Sequence, residues 1–93
     1  MYAAIWRFAG DPDDLGDRYS AMIGELGNPR LQLCLRAADG IVLVDTCPSR
    51  EAFEAFAGSD SFRQMRERHG LPEPESVDGF DVRAAFAEGH PIS

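Results

Sequence analysis

An α+β domain of element order β-α-β-β-α-β is what this sequence predicts: a four-stranded antiparallel sheet with two helices on one of its faces. Three observations carry that expectation. Apolar and polar residues alternate from Leu31 to Arg36, and a strand-forming run rich in β-branched residues, Ile41 to Cys47, follows on the other side of a turn at Asp39-Gly40. Two stretches with apolar residues at helical spacing each follow a capping residue and fall between extended segments. The chain has 93 residues, 44% hydrophobic and 27% charged, enough for one core and too few for two.

Residues 2–8 mix aromatic and β-branched types and stop at Ala9-Gly10, which makes a short first strand. Asp11 then caps a helix with Pro12 at its first position, and Asp13 and Asp14 complement the positive end of the dipole. Leu15, Tyr19, Met22, Ile23 and Leu26 form its apolar stripe, Gly27 ends it, and Asn28-Pro29 turns the chain. The hairpin follows. Ser49 caps the next helix, whose Ala52, Phe53, Phe56 and Ala57 share a face, and Gly58-Ser59-Asp60 interrupts or restarts it. Phe62 and Met65 continue the stripe, and Arg63, Arg66 and Arg68 complement the negative end of the dipole. Gly70, Leu71 and Pro72 make a C-terminal stop in which Leu71 folds back over the last turn. Past the acidic Pro72–Glu75 linker, Val77 to Phe86 is expected as the fourth strand. Residues 1–88 therefore make one domain and 89–93 a loose tail. This order is the ferredoxin-like split βαβ arrangement.

A two-residue turn at Asp39-Gly40 sets a register in which Leu35 opposes Val44, Cys34 opposes Asp45 and Arg36 opposes Leu43. One face of the hairpin then carries Leu31, Leu33, Leu35, Val42 and Val44, expected under the helices. The other carries Gln32, Cys34, Arg36, Leu43, Asp45 and Cys47. That mixed face either meets water or packs on a second copy to enclose a small-molecule cavity. A short chain buries a modest share of its surface, so a twin would supply missing core.

Sixteen acidic residues against nine basic ones leave a formal charge of -7, which repels phosphate backbones and anionic lipid. No nucleic-acid or membrane partner is expected. All nine basic residues are arginine, so no lysine side chain is present to form a Schiff base. Cys34 and Cys47 make no C-x-x-C pair and, with two distant histidines, form a poor zinc set, so no metal is expected. The N-terminal stretch lacks a basic segment and a long apolar run, and with two unpaired thiols it suggests a reduced, cytoplasmic setting. Loops and motifs of hydrolases, kinases and dinucleotide enzymes are absent from the sequence.

Val42-Leu43-Val44-Asp45-Thr46, followed by Ser49-x-x-x-Phe53-x-x-Phe56-x-x-Ser59-x-x-Phe62, resembles the antibiotic-biosynthesis-monooxygenase (ABM) type of dimeric α/β barrel. Proteins of that type show S-x-x-x-F-x-x-W-x-x-S-x-x-F after a strand, and the order of elements agrees over nearly all of this chain. The resemblance implies a homodimer joined through its sheets and a cavity between sheet and helices. It further implies a small, mostly apolar organic ligand and, for an enzyme, a cofactor-free monooxygenase. The haem-degrading branch fits poorly. Its strand asparagine, helix tryptophan and ligating histidine fall on Trp6, Phe56 and Arg66, although His69 lies about one turn further on. No cofactor is therefore expected.

On this reading the candidate catalytic residues are His69 and Asp45, and the candidate ligand-binding residues are Trp6, Arg36, Phe56 and Cys34. Trp6 and Phe56, with Tyr2, are the rings that stack a ligand, and Arg36 or His69 holds an oxyanion. Each also has a structural reading. His69 suits a helix C-terminus, Asp45 and Arg36 suit a diagonal cross-strand ion pair, and Trp6 suits core packing. Cys34, opposite a carboxylate, is a poor nucleophile and better fits as filler. A non-catalytic binding dimer and a proton-transfer enzyme using His69 or Asp45 as base remain open beside the oxygenase.

Overall fold

A computed structural model describes residues 1–26 and 31–92. The described chain runs β1 (Tyr2–Ala9), α1 (Pro12–Ile23), β2 (Gln32–Ala37), β3 (Gly40–Cys47), α2 (Arg50–Ala57), α3 (Asp60–Arg68), β4 (Ser76–Asp81), β5 (Phe86–Ala87) and β6 (His90–Pro91). It is an α+β fold in which β2, β3, β1 and β4, in that order, form an antiparallel sheet. That arrangement is compatible with a ferredoxin-like fold. Among the described residues no helix is long and apolar enough to cross a membrane.

Local chemistry sets the helix boundaries. The Asp11 carboxylate accepts the Asp14 N–H at 2.8 Å, and the Ser49 hydroxyl accepts that of Ala52 at 3.1 Å, so both expected caps form. Where a single second helix is expected there are two, because the Ser59 hydroxyl accepts the Phe62 N–H at 3.1 Å and starts a new helix after Gly58. The described chain thus has three helices instead of two. At the end of α3, Gly70 takes φ +72°, the Leu71 N–H donates to the Arg66 carbonyl, and that of Gly70 to Glu67. This is a Schellman stop, and it buries Leu71. The end expected for α1 at Gly27, and the Asn28-Pro29 turn, lie outside the described residues; α1 itself closes at Gly24.

The β2–β3 register differs from expectation by one turn position. Ala37 pairs with Gly40, Leu35 with Val42, Cys34 with Leu43 and Arg36 with Ile41, so the turn residues are Ala38 and Asp39. An Asp-Gly turn of the usual hairpin type needs positive φ at both residues, and neither has it. Gly40 serves another purpose. It begins β3 directly beside β1, where a Cβ would lie 1.8 Å from the Phe8 carbonyl oxygen.

The two sheet faces are occupied the other way round from the expectation. Ala4, Trp6 and Phe8 of β1 and Ile41 and Leu43 of β3 are buried with Leu15, Tyr19 and Met22 of α1, Phe62 of α3 and Leu71. The helices therefore cover the face that carries Gln32, Cys34, Arg36 and Asp45. Bulky aromatic residues on β1 decide the matter, since they bury more area against helices than the aliphatic row opposite. Ala3, Ile5, Leu33, Leu35, Val42, Val44 and Phe80 share the other face by register. Leu33 is 44% exposed, Leu35 45% and Phe80 55%, a contiguous apolar surface of the kind monomeric proteins seldom leave open. β4 ends at Asp81 instead of reaching Phe86. Phe86–Ala87 instead pairs with His90–Pro91, which lies in the segment expected as a loose tail, in a second, two-stranded sheet.

Candidate functional site

The central strands deliver the polar groups of the site. Asp45 on β3 lies beside Ala4 of β1 and opposite Gln32 of β2, and its side chain points toward the helices. Trp6, two residues along β1 from Ala4, donates its indole Nε1–H to Asp45 Oδ1 at 3.3 Å. From α1, the Tyr19 hydroxyl donates to Gln32 Oε1. Asp45, Trp6, Gln32 and Tyr19 thus form one connected polar group inside an otherwise apolar layer. Such a group is costly to bury and stiffens the region when its bonds are made.

Burial raises the pKa of the Asp45 carboxyl above its ordinary value, and hydrogen bonds from Trp6 and Gln32 only partly oppose that rise. Burial, reinforced by the negative charge of Asp45 and then that of Cys34, pushes the Tyr19 phenol upward as well. For a carboxyl whose pKa rises on folding, the ionised form costs stability. The stability is fully present below the ordinary carboxylate range and is lost as pH climbs through the raised value. Asp45→Asn keeps an acceptor for Trp6 and removes that cost. Urea denaturation should therefore give a higher midpoint for the variant at pH 7, with the gap closing as pH falls toward the ordinary carboxylate value of about 4. Equal midpoints at pH 7 would show that Asp45 is not held against its ionisation.

Around this group lies a void of about 20 Å³, walled by Trp6, Tyr19, Gln32, Asp45, Phe56 and Phe62 together with aliphatic residues. It is the size of one water molecule. On the other side of Trp6 and Phe62 opens a cleft of about 470 Å³ between α2, α3 and the chain entering β4. That volume falls within the range of small-molecule sites. Four rings line the boundary. Trp6 stacks on Phe53 with centroids 5.8 Å apart, meets Phe62 at 5.3 Å, and Phe62 meets Phe56 at 4.6 Å.

Of the residues expected at a site, Trp6, Asp45 and Phe56 come together here. Arg36 does not join them. It forms an exposed ion pair with Asp13 of α1, in place of the expected pair with Asp45. Cys34 borders the same shallow surface depression as Arg36, its thiol pKa raised by burial. His69, at the C-cap of α3, pairs through Nε2 with Glu25 and borders neither the void nor the cleft. His69 and then Arg68 hold the Glu25 carboxyl below its ordinary pKa. Tyr19 and Gln32 join the site without being expected there. The signal for Gln32 is its place on the Asp45 face of the hairpin, and Tyr19 carries a hydroxyl in the middle of an apolar helical stripe.

Among the described residues no three His, Cys, Asp or Glu side chains gather closely enough to hold a metal ion. No family model matches the sequence, and no curated protein and no solved structure matches it.

Proposed function

We propose that this chain is an ABM-like protomer of a homodimeric α/β barrel, paired through its sheets, that binds a small, mostly apolar organic molecule against Trp6 and oxidises it without a cofactor. Two features support the pairing. The open sheet face is apolar along Leu33, Val44 and Ile5, and that row ends at Asp78 while the adjacent row holds Arg7. Opposite charges flanking an apolar strip suit a two-fold interface, where each meets its counterpart on the twin. The free thiols of Cys34 and Cys47 suit a reducing, cytoplasmic setting.

The single observation that carries the chemistry is Asp45: a carboxylate kept basic by burial, hydrogen-bonded to a tryptophan that separates a ligand-sized cleft from the interior. The raised pKa makes it a better proton acceptor near neutral pH. A ligand seated in the cleft reaches Asp45 once the indole turns aside. Asp45 then takes a proton from the acidic methylene C–H of an anthrone-type substrate. The resulting carbanion passes electrons to O2, and one oxygen atom stays on carbon as a carbonyl while the other leaves as water with the two hydrogens lost by the substrate.

Oxygen uptake tests this directly. With anthrone or a related compound, wild-type protein should consume O2 faster than buffer, and Asp45→Asn should lose about 100-fold of the excess rate. Saturable quenching of Trp6 fluorescence without any O2 consumption across such a panel would replace the oxygenase with a non-catalytic binding dimer.

A further inference from the structure

One buried charge has no role in the chemistry proposed for Asp45. Arg66 of α3 is 8% exposed, yet among the described residues no carboxylate lies within ion-pair distance of it, while Arg18, Arg36, Arg50, Arg63 and Arg68 each have one. Its Nη1 donates to the Leu71 carbonyl at 3.0 Å, a bond the Schellman stop makes available by bringing Leu71 back over the helix end. Arg66 borders the 470 Å³ cleft, and its other guanidinium nitrogens are neither bonded to protein among the described residues nor sealed from solvent. An arginine taken out of water needs an anion to offset its desolvation. Here the side chain is held by one hydrogen bond and borders the cleft, with its remaining donors not sealed from solvent.

We propose that this cleft binds an aromatic carboxylate, its ring against Trp6, Phe53 and Phe62 and its carboxylate on the Arg66 guanidinium. The walls supply what such a molecule needs: aromatic surface for a planar ring and a planar, bidentate donor for two coplanar oxygens. Neighbouring charges narrow the choice to a single anionic group. Arg63 is already engaged by Asp60 and Glu67, leaving Arg66 as the free cation among the described residues of the cleft, and Glu73 at the rim disfavours a second negative charge on the ligand. The inference rests on the ligand-binding reading above in taking Trp6 as a wall of the site, and does not require Asp45 or oxygen chemistry.

Calorimetric titration with 2-naphthoate and with 2-naphthalenemethanol, its neutral counterpart, separates the two. Wild-type protein should bind naphthoate at least tenfold more tightly. Arg66→Gln should erase that preference and leave alcohol binding unchanged, and Arg66→Lys, which keeps the charge but loses the fork, should restore part of it. Glu73→Gln, on the exposed rim, should tighten naphthoate alone, and reads out the same electrostatics if the Arg66 variants do not fold. Equal affinity of wild-type protein for acid and alcohol would overturn the carboxylate site and leave an apolar ligand site standing. Naphthoate binding that ignores Glu73→Gln and survives Arg66→Gln would overturn it too.

Discussion

Trp6→Ala should cost about 3–5 kcal/mol of folding stability and lower the melting temperature by on the order of 15–30 °C. The indole is buried at the centre of the ring cluster, in contact with Phe53 and Phe62, and it supplies a hydrogen bond to the half-buried Asp45. Truncation leaves a cavity and takes a donor from a carboxylate, and the two penalties add. A domain of this length commonly has a total stability of only about 5–10 kcal/mol, so a large part of it is at stake. Trp6→Phe keeps most of the packing and should cost roughly 1–2 kcal/mol, mainly through the lost N–H. Circular dichroism follows both variants, since Trp6 is the only tryptophan and fluorescence is lost with it. A Trp6→Ala protein within about 1 kcal/mol of wild type would mean the ring is not the keystone of the core.

The second large effect concerns the open face. Leu33→Arg/Leu35→Arg places two charges on a surface that the protomer leaves nearly half exposed. Within the protomer the change should be mild, about 1 kcal/mol or less. In the proposed dimer the same charges have to be desolvated without partners, which should weaken association by at least about 100-fold. Light scattering should then find a folded monomer with an unchanged circular dichroism spectrum. If the double variant instead unfolds at every concentration, the aliphatic row is core of the protomer and the helices lie on that side of the sheet.

Most of the elements can be read from the chain because their signals are local. Asp11, Ser49 and the Gly70-Leu71 stop act within one turn of helix, and each forms as its chemistry dictates. Ser59 is visible as a break, though whether Gly58 and Ser59 end one helix or begin another depends on the Phe62 N–H finding its cap. The faces of the sheet are not legible in the same way. Hydrophobic alternation shows that Leu33, Leu35, Val42 and Val44 share a side, but a sheet apolar on both sides does not announce which side its own helices take. Nor does the dipeptide Asp39-Gly40 reveal that its glycine is needed against the Phe8 carbonyl, distant in sequence, instead of in the turn.

The site shows the same division. Residue type and position single out Asp45, Trp6 and Phe56, and they meet because β1, β3 and the helices stack in one layer pair. Arg36 and His69 are drawn elsewhere by Asp13 and Glu25, carboxylates whose proximity only the packed helices create. From sequence, Arg66 only complements a helix dipole. Its burial beside Leu71 becomes apparent once the helix end folds back.

Sheet pairing is the premise on which the barrel depends. Size-exclusion chromatography with light scattering on the wild-type protein at micromolar concentration tests it most directly. A paired barrel has a mass twice that of the 10.2 kDa chain, unchanged on tenfold dilution. A stable, folded species of 10.2 kDa, with Leu33, Leu35 and Phe80 left in water, would contradict it.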